Sequence, residues 1–477
     1  EIVLSDDIPD DDIPHDLADI PRKQAADWNI LGSPCGISAE KRVQALSECL
    51  ASGIHKCSLI AQLEDTHVAF SLLRSCASYG LAVYYMRTVP PCSEFGRFDD
   101  AVRQCFSTIV VATNDATWTQ ATLPIRRGGF GLRPTNTFAP VAFTASSLAA
   151  ERHLPLLLTT QHLTTSLSSA HDPSVAQAME AEVLAPFPAA RHDLVRTSQT
   201  PADMPQKLQR CITHSIEDVI SSSLIAPLPT ADKARISSCC ASGSSMWLSL
   251  PMLAHTASPP WLTNPQFAVL SRARLGLDVA SDAQLCNICR RYEADTRGDH
   301  SLCCLHGGVR TLLHHRVVDC LFRHCSTALM NPAREAHPFT SSPTQRADIV
   351  LRRQVRRTTA IDVAVTFPLR LGAPVSAAAE TPGGAATLYE NVKWHEYGEA
   401  ASRANIDFVP FVFDTFGAIG SSAWPLLRSI FRCAAQRRGI SRVVATQSGL
   451  LDLNVHPVRD AGRRSRGRYV FSYGVET

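Results

Sequence analysis

No stretch of the sequence approaches the roughly 18–20 consecutive apolar residues that a bilayer-spanning helix requires. The start, acidic and proline-spaced, lacks the basic and apolar regions of a signal or transit peptide. Lysine is almost missing: only six of the 46 basic residues are lysine, and after Lys233 there is one, Lys393. No Gly-Lys-Ser/Thr follows the glycine-rich segment "RRGGFG", so a phosphate-cradling nucleotide loop is not expected there. The chain also begins at Glu1 without a methionine, which reads as a fragment of something longer.

What is present bounds the rest. The chain's 477 residues, 45% hydrophobic and 19% charged, suffice for two to four domains with real cores. The formal charge of +2 hides an asymmetry, since carboxylates crowd the first twenty residues and arginines crowd "GRRSRGRY" near the end. Arginine's planar fork suits phosphates and base edges, although a GC-rich coding bias explains an arginine excess equally well. Sixteen cysteines without a secretory signal predict a reducing, nuclear or cytoplasmic setting, in which clustered thiols are metal ligands more often than disulfides.

One such cluster stands out in "LCNICRRYEADTRGDHSLCCLHGG". Cys286 and Cys289 have the Cys-x-x-Cys spacing that aims two thiolates at one centre, and His300 with Cys304 completes a tetrahedron; Cys303 competes for the fourth position. Thiolate and imidazole donors select zinc, and a site filled by four protein ligands is structural.

The segment "QRADIVLRRQVRRTTAIDVAVTF", Gln345 to Phe367, reads as two apolar strands joined by an arginine-rich turn. Each strand carries one aspartate, Asp348 and Asp362, where an unpaired buried charge is costly. Singly, each could pair with an arginine or cap a turn. Together, on neighbouring strands, they can converge on one Mg²⁺, which is held by one or two carboxylates plus phosphate and water. Lys393 lies on a following helical stretch with Tyr389 and Tyr397 four residues to either side, on one face. In a region that otherwise uses arginine, it can supply a compact ammonium to a phosphate. A helix at "GGVRTLLHHRVVDCLFRHCSTAL" precedes the strands, a Gly/Ala-rich loop "GAPVSAAAETPGGAA" follows them, and a third strand "DFVPFVFDTFG" completes an α/β sandwich.

The runs "LCNIC…GDHSLCC", "HHRVVD", "RADIVL", "AIDVAVTFP", "KWHEY" and "FVPFVFDTFG" resemble the C-terminal part of proteins encoded by non-LTR retrotransposons that carry a restriction-like endonuclease. Upstream, "WNILGSPCG", "AFSLLRSC" and "LPIRRGGFGLRPTNTFAPVAFTASS" resemble the region after the polymerase palm of the same proteins. The resemblance spans most of residues 28–420 and is weakest over 165–265. It implies a PD-(D/E)xK nuclease fold that nicks target DNA to free a 3′ end for reverse transcription. Asp348 and Asp362 then match the two acidic positions, and Lys393 with Tyr397 match the lysine and tyrosine of the next helix. Alanine at 347 replaces the usual proline, and Val363-Ala364 leaves no lysine directly after Asp362. The palm's Tyr/Phe-x-Asp-Asp motif is not expected in this chain, because "RFDD" at 97–100 falls within a helical pattern.

The expected class is therefore multidomain α plus α/β. An acidic disordered segment (1–27) precedes a helical thumb-like region (28–160), a linker with weak helices (161–265), a zinc knuckle (266–307), a PD-(D/E)xK restriction-endonuclease-like α/β sandwich (308–445) and a basic tail (446–477). The expected cofactors are structural Zn²⁺ and catalytic Mg²⁺. The expected partner is target DNA, with element RNA as a second ligand and no membrane; Arg346, Arg352, Arg353, Arg356 and Arg357 would hold the phosphate backbone. A relic that binds nucleic acid without cutting it is the alternative.

Overall fold

A computed structural model describes residues 4–5, 22–23, 29–34, 38–110, 114–157, 185, 188, 208–248, 262–286, 289–304, 309–339, 345–352 and 357–459. The described chain is mostly helical, with one mixed four-stranded sheet and three two-residue ladders. It divides into two compact units, 1–64 with 68–123 and 131–226, and 65–67 with 124–130 and 227–477. The expected acidic segment 1–27 and most of the expected linker before 208 lie outside the described residues.

The first unit is built of helices α1 (Ala39–Ile60), α2 (Thr66–Cys76), α3 (Tyr79–Thr88), α4 (Ser93–Ile109), α5 (Asp115–Thr122), α6 (Thr135–Leu157) and α7 (Leu208–Ile225). Ser38 starts α1 by accepting the Lys41 N–H, and Leu46 and Leu50 recur on its buried stripe. Phe70, Phe95, Phe98 and Phe106 fill the interior completely. Ile212 and Ile216 of α7, in a stretch whose sequence gave no clear period, pack against Phe138 and Val141 of α6. Asp99 of "RFDD" lies within α4, and its carboxylate accepts the N–H groups of Thr135 and Asn136 and the Thr135 hydroxyl. That carboxylate is the N-terminal cap of α6.

The second unit begins with the glycine turn 124–130 and α8 (Thr230–Cys240), α9 (Asn264–Leu275), α10 (Asp299–Cys303) and α11 (Val309–Thr327). Its sheet follows as β1 (Pro332–Ala336), β2 (Ala347–Leu351) and β3 (Thr359–Thr366), then α12 (Ala373–Glu380), α13 (Gly384–Arg403), β4 (Asp407–Asp414), α14 (Trp424–Arg438) and α15 (Arg442–Arg459). In the glycine turn, N–H groups of Arg127, Gly128 and Gly129 close onto Pro124 and Ile125 carbonyls. The buried Arg274 guanidinium takes the Ile125 and Gly129 carbonyls. These amides are spent within the turn and do not form a phosphate cradle. At Gly128, φ +80°, a Cβ would also sit 2.9 Å from the Ile236 side chain.

The sheet order is β4-β3-β2-β1, with β3 parallel to β4 and the other pairs antiparallel. Ile349, Leu351, Ile361, Val363 and Val365 form one face with α11, α14 and α15, while Val350, Ala360 and Ala364 turn toward α13. Helices thus cover both faces. Strand β1 was not expected from its sequence "PAREA", whose β propensity is low; pairing with β2 creates it. The expected Gly/Ala-rich loop is largely helix α12: Pro374 stands in its first turn, the alanines 377–379 are strong helix formers, and glycines lie only outside its ends. Past residue 445, α15 continues to Arg459 with Leu450 and Leu453 in the core, so these residues are packed structure rather than tail.

Two buried carboxylates fix the end of β4. Glu390 of α13 accepts the Ser422 N–H at 2.9 Å and the Ser421 hydroxyl at 3.2 Å. A Cβ at Gly420 would lie 2.2 Å from Glu390 Oε1, so that approach requires glycine. Asp414, fully buried, accepts the Phe416 and Ala418 N–H groups on Oδ1. Burial pushes its carboxyl up to about 7, against the lowering effect of those N–H groups. A raised folded-state pKa gives a stabilisation that is present below the ordinary carboxylate pKa of about 4 and is lost as pH rises through about 7. Asp414→Asn keeps the Oδ1 acceptor. It is expected to flatten the decline of the denaturation midpoint between about pH 4 and 7; an unchanged slope would contradict the assignment.

Candidate functional site

The β2–β3 register pairs Ile349 with Ile361 and Val350 with Ala360. Asp348 and Asp362 stand one residue beyond the last pair of this ladder, Ile349 with Ile361, and their charges act on each other. Asp348 Oδ2 accepts the Val363 N–H at 2.7 Å and faces His314 Nε2 at 3.3 Å. Asp362 is buried, and its Oδ2 lies 3.1 Å from Lys393 Nζ. This is an ion pair off the line of a hydrogen bond, so that oxygen has a charge beside it and no donor aligned on it.

Lys393 reaches the site from α13, which Glu390 locks at the end of β4. Its ammonium also lies 3.2 Å from Glu396 Oε2 and 5.3 Å from the centre of the Tyr397 ring. Tyr397 stacks on Phe408 and leans on Phe339, which fixes the ring. Burial raises the Asp362 carboxyl, opposed by the Lys393 charge. Burial would depress the Lys393 ammonium, but the charges and close contacts of Asp362 and Glu396 outweigh it and hold it above its ordinary value. The Tyr397 hydroxyl is pushed up to about 12, by burial and then by the Asp362 charge, and stays protonated.

Of the four residues expected at the carboxylate site, Asp362, Lys393 and Tyr397 are in direct contact, and the Asp348 charge acts on Asp362 from the neighbouring strand. Two neighbours were not expected from sequence. His314, on α11, is raised chiefly by its bond to Asp348, against burial. Glu396 shares the ammonium; the only hints were the "HH" pair opening an apolar helix and the "KWHEY" run.

A cavity of about 370 Å³ opens beside Asp348, lined among others by His314, His315, Asp319, Arg334, Glu335 and Arg346. Arg346 is exposed and pairs loosely with Glu335 at 3.4 Å. Arg352 and Arg357 are exposed at the facing ends of β2 and β3, while Arg353 and Arg356 lie outside the described residues.

The cysteine cluster stands apart from the sheet. Ligand atoms of Cys286, Cys289, His300 and Cys304 all lie within 4.8 Å of one another, and this group can hold a metal ion such as zinc. A two-residue ladder, 284–285 with 293–294, returns the chain so that Cys286 and Cys289 face α10, and Asp295 accepts the N–H groups of Asp299 and His300 at its start. Cys289 Sγ lies 3.4 Å from His300 Nε2. Its thiol is brought down to about 6: partial desolvation raises it, and the N–H groups of Arg291 and Tyr292 with His300 and Cys286 more than offset that. Of the two competing cysteines, Cys304 joins the group and Cys303 does not.

Comparison with protein-family models and with curated proteins finds no match for this chain. Among the described residues no helix is long and apolar enough to cross a membrane.

The ligand geometry predicts that Cys304→Ser releases one equivalent of bound zinc on dialysis against a weak chelator, while Cys303→Ser retains it. Metal analysis of the two variants checks this, and equal retention would remove Cys304 from the site.

Proposed function

We propose that this chain is a divalent-metal-dependent DNA endonuclease of the kind carried by non-LTR retrotransposon proteins, with a restriction-endonuclease-like α/β domain. The observation that carries the reading is the Lys393 ammonium 3.1 Å from the buried Asp362, with the charge of Asp348 on the adjacent strand acting on the same carboxyl. The Cys286–Cys289–His300–Cys304 group is then a structural zinc knuckle, and the first helical unit a thumb-like nucleic-acid-binding region.

The residues fit Mg²⁺. Two carboxylates on adjacent strands lie near enough for their charges to interact, and one buried oxygen of Asp362 has no aligned hydrogen-bond donor. Asp348 and Asp362 would hold the ion, which when bound offsets charge developing on phosphorus and acidifies a water molecule. The protein's own groups supply the rest. The Val363 N–H and His314 fix the Asp348 carboxylate in one orientation. Lys393 places a positive charge at the same point, suited to a phosphate oxygen or the attacking water. Tyr397, packed against two phenylalanines, keeps the lysine from swinging away. Hydrolysis puts the water oxygen on phosphorus, breaks the bond to O3′ and leaves a proton there, freeing a 3′ hydroxyl.

Arg346 beside Asp348, and Arg352 and Arg357 exposed at the ends of β2 and β3, supply phosphate contacts, as would Arg353 and Arg356. A binding relic is the competing reading, favoured by one observation: Lys393 is already shared between Asp362 and Glu396.

With Mg²⁺, the wild-type chain is expected to nick supercoiled plasmid. Asp362→Ala and Lys393→Ala should each lower the rate by about a hundredfold or more. Plasmid binding should weaken steeply as salt is raised, and more gently in an Arg352→Ala/Arg357→Ala variant. Salt-sensitive binding with no nicking by wild type would instead identify the relic.

A further inference from the structure

We propose that Cys320, His324 and Asp452 form a second metal site, a zinc site of three protein ligands that ties α15 to α11. Cys320 and His324 are four residues apart on α11, so they stand on one face a turn apart. Asp452 comes from α15, which packs along that helix. Their ligand atoms all lie within 4.8 Å of one another.

The facing pair within this group lacks an explanation as an ordinary hydrogen bond. His324 Nε2 is buried and 3.2 Å from Asp452 Oδ2, yet it has no aligned hydrogen-bond partner. A nitrogen and an oxygen each about 2.0–2.1 Å from one tetrahedral ion stand about 3.3 Å apart, so this pair is already at ligand spacing. Phe431 of α14 meets the imidazole edge-on, at 5.8 Å and 89°, and holds the ring in that orientation. Cys320 is wholly buried beside it and brings a sulfur donor.

The donor set decides the metal. One thiolate, one imidazole and one carboxylate suit zinc, whereas Mg²⁺ and Ca²⁺ take oxygen ligands. Arg323 competes, with its guanidinium 3.7 Å from Asp452 Oδ2. The carboxylate has a second oxygen with which to keep that ion pair. Asp452 is 44% exposed, so a fourth coordination position opens to solvent and takes water. The site shares no residue with the Cys286 cluster or with the paired aspartates, and it holds whether or not the chain cuts DNA.

Zinc content of the full chain, measured after dialysis against a weak chelator, tests the site. Wild type should hold two equivalents, and Asp452→Asn and Cys320→Ser one each. Asp452→Asn carries the decision, because it changes a half-exposed residue outside both the core and the first cluster; circular dichroism checks its fold. A single equivalent in wild type, or two in folded Asp452→Asn, overturns the proposal. Cobalt gives an independent reading: a Cys286→Ser/Cys289→Ser chain should show a thiolate-to-cobalt charge-transfer band that disappears on adding Cys320→Ser. Survival of that band in the triple variant would also overturn it.

Discussion

A carboxylate set into the middle of a sheet is the constraint around which the second unit is organised. Asp362 occupies a β3 position whose neighbours in sequence, Ile361 and Val363, are core residues. Unpaired there, a charge would cost several kcal/mol. The Lys393 ammonium offsets it, and the requirement spreads outward: α13 must sit at a fixed height against the sheet, and Glu390, three residues before Lys393, sets that height by bonding to Ser421 and Ser422. The absence of a side chain at Gly420 allows the approach. A polar pair deep in an apolar layer specifies register more sharply than apolar packing would, since a one-residue slip of β3 would move the carboxylate to the opposite face.

The two kinds of polar cluster in this chain illustrate different solutions to the same problem. At the sheet, charge is met by charge, and an oxygen is left without an aligned donor. In the glycine turn, the Arg274 guanidinium is satisfied by backbone carbonyls of Ile125 and Gly129 and by the Ser245 hydroxyl. The second arrangement uses up its hydrogen-bonding capacity internally and is architectural. The first leaves one buried oxygen of Asp362 without an aligned hydrogen-bond donor.

How much of this was legible in the sequence depended on whether the signal was local. Asp348 and Asp362 stood out because carboxylates are rare in strands read as buried. Lys393 stood out against an arginine background, and the Cys-x-x-Cys spacing showed itself directly. The helices α1 and α11 follow from their periodicity. By contrast, β1 has no strand propensity and exists through its partner, and an alanine-rich segment bracketed by glycines resembled a loop until its interior was weighed separately. His314 is an ordinary helical histidine until α11 is placed beside β2. The choice of Cys304 over Cys303 depended on how α10 is turned, which spacing does not encode. Asp99, read as helical, is so, but that its carboxylate starts another helix depended on how the two helices meet.

The outer strand of the sheet has one further effect. A sheet edge exposes unpaired donors and acceptors to any other extended chain. Here that edge begins with Pro332, which has no N–H to offer. It also carries Glu335 in a left-handed conformation, φ 45°, and the ladder skips that residue. With Arg334 and Glu335 both exposed and charged, the strand is a poor template for further β pairing. The sheet is closed to growth at β1 by its own covalent geometry, and copies of this domain at high local concentration would not fuse edge to edge through that strand.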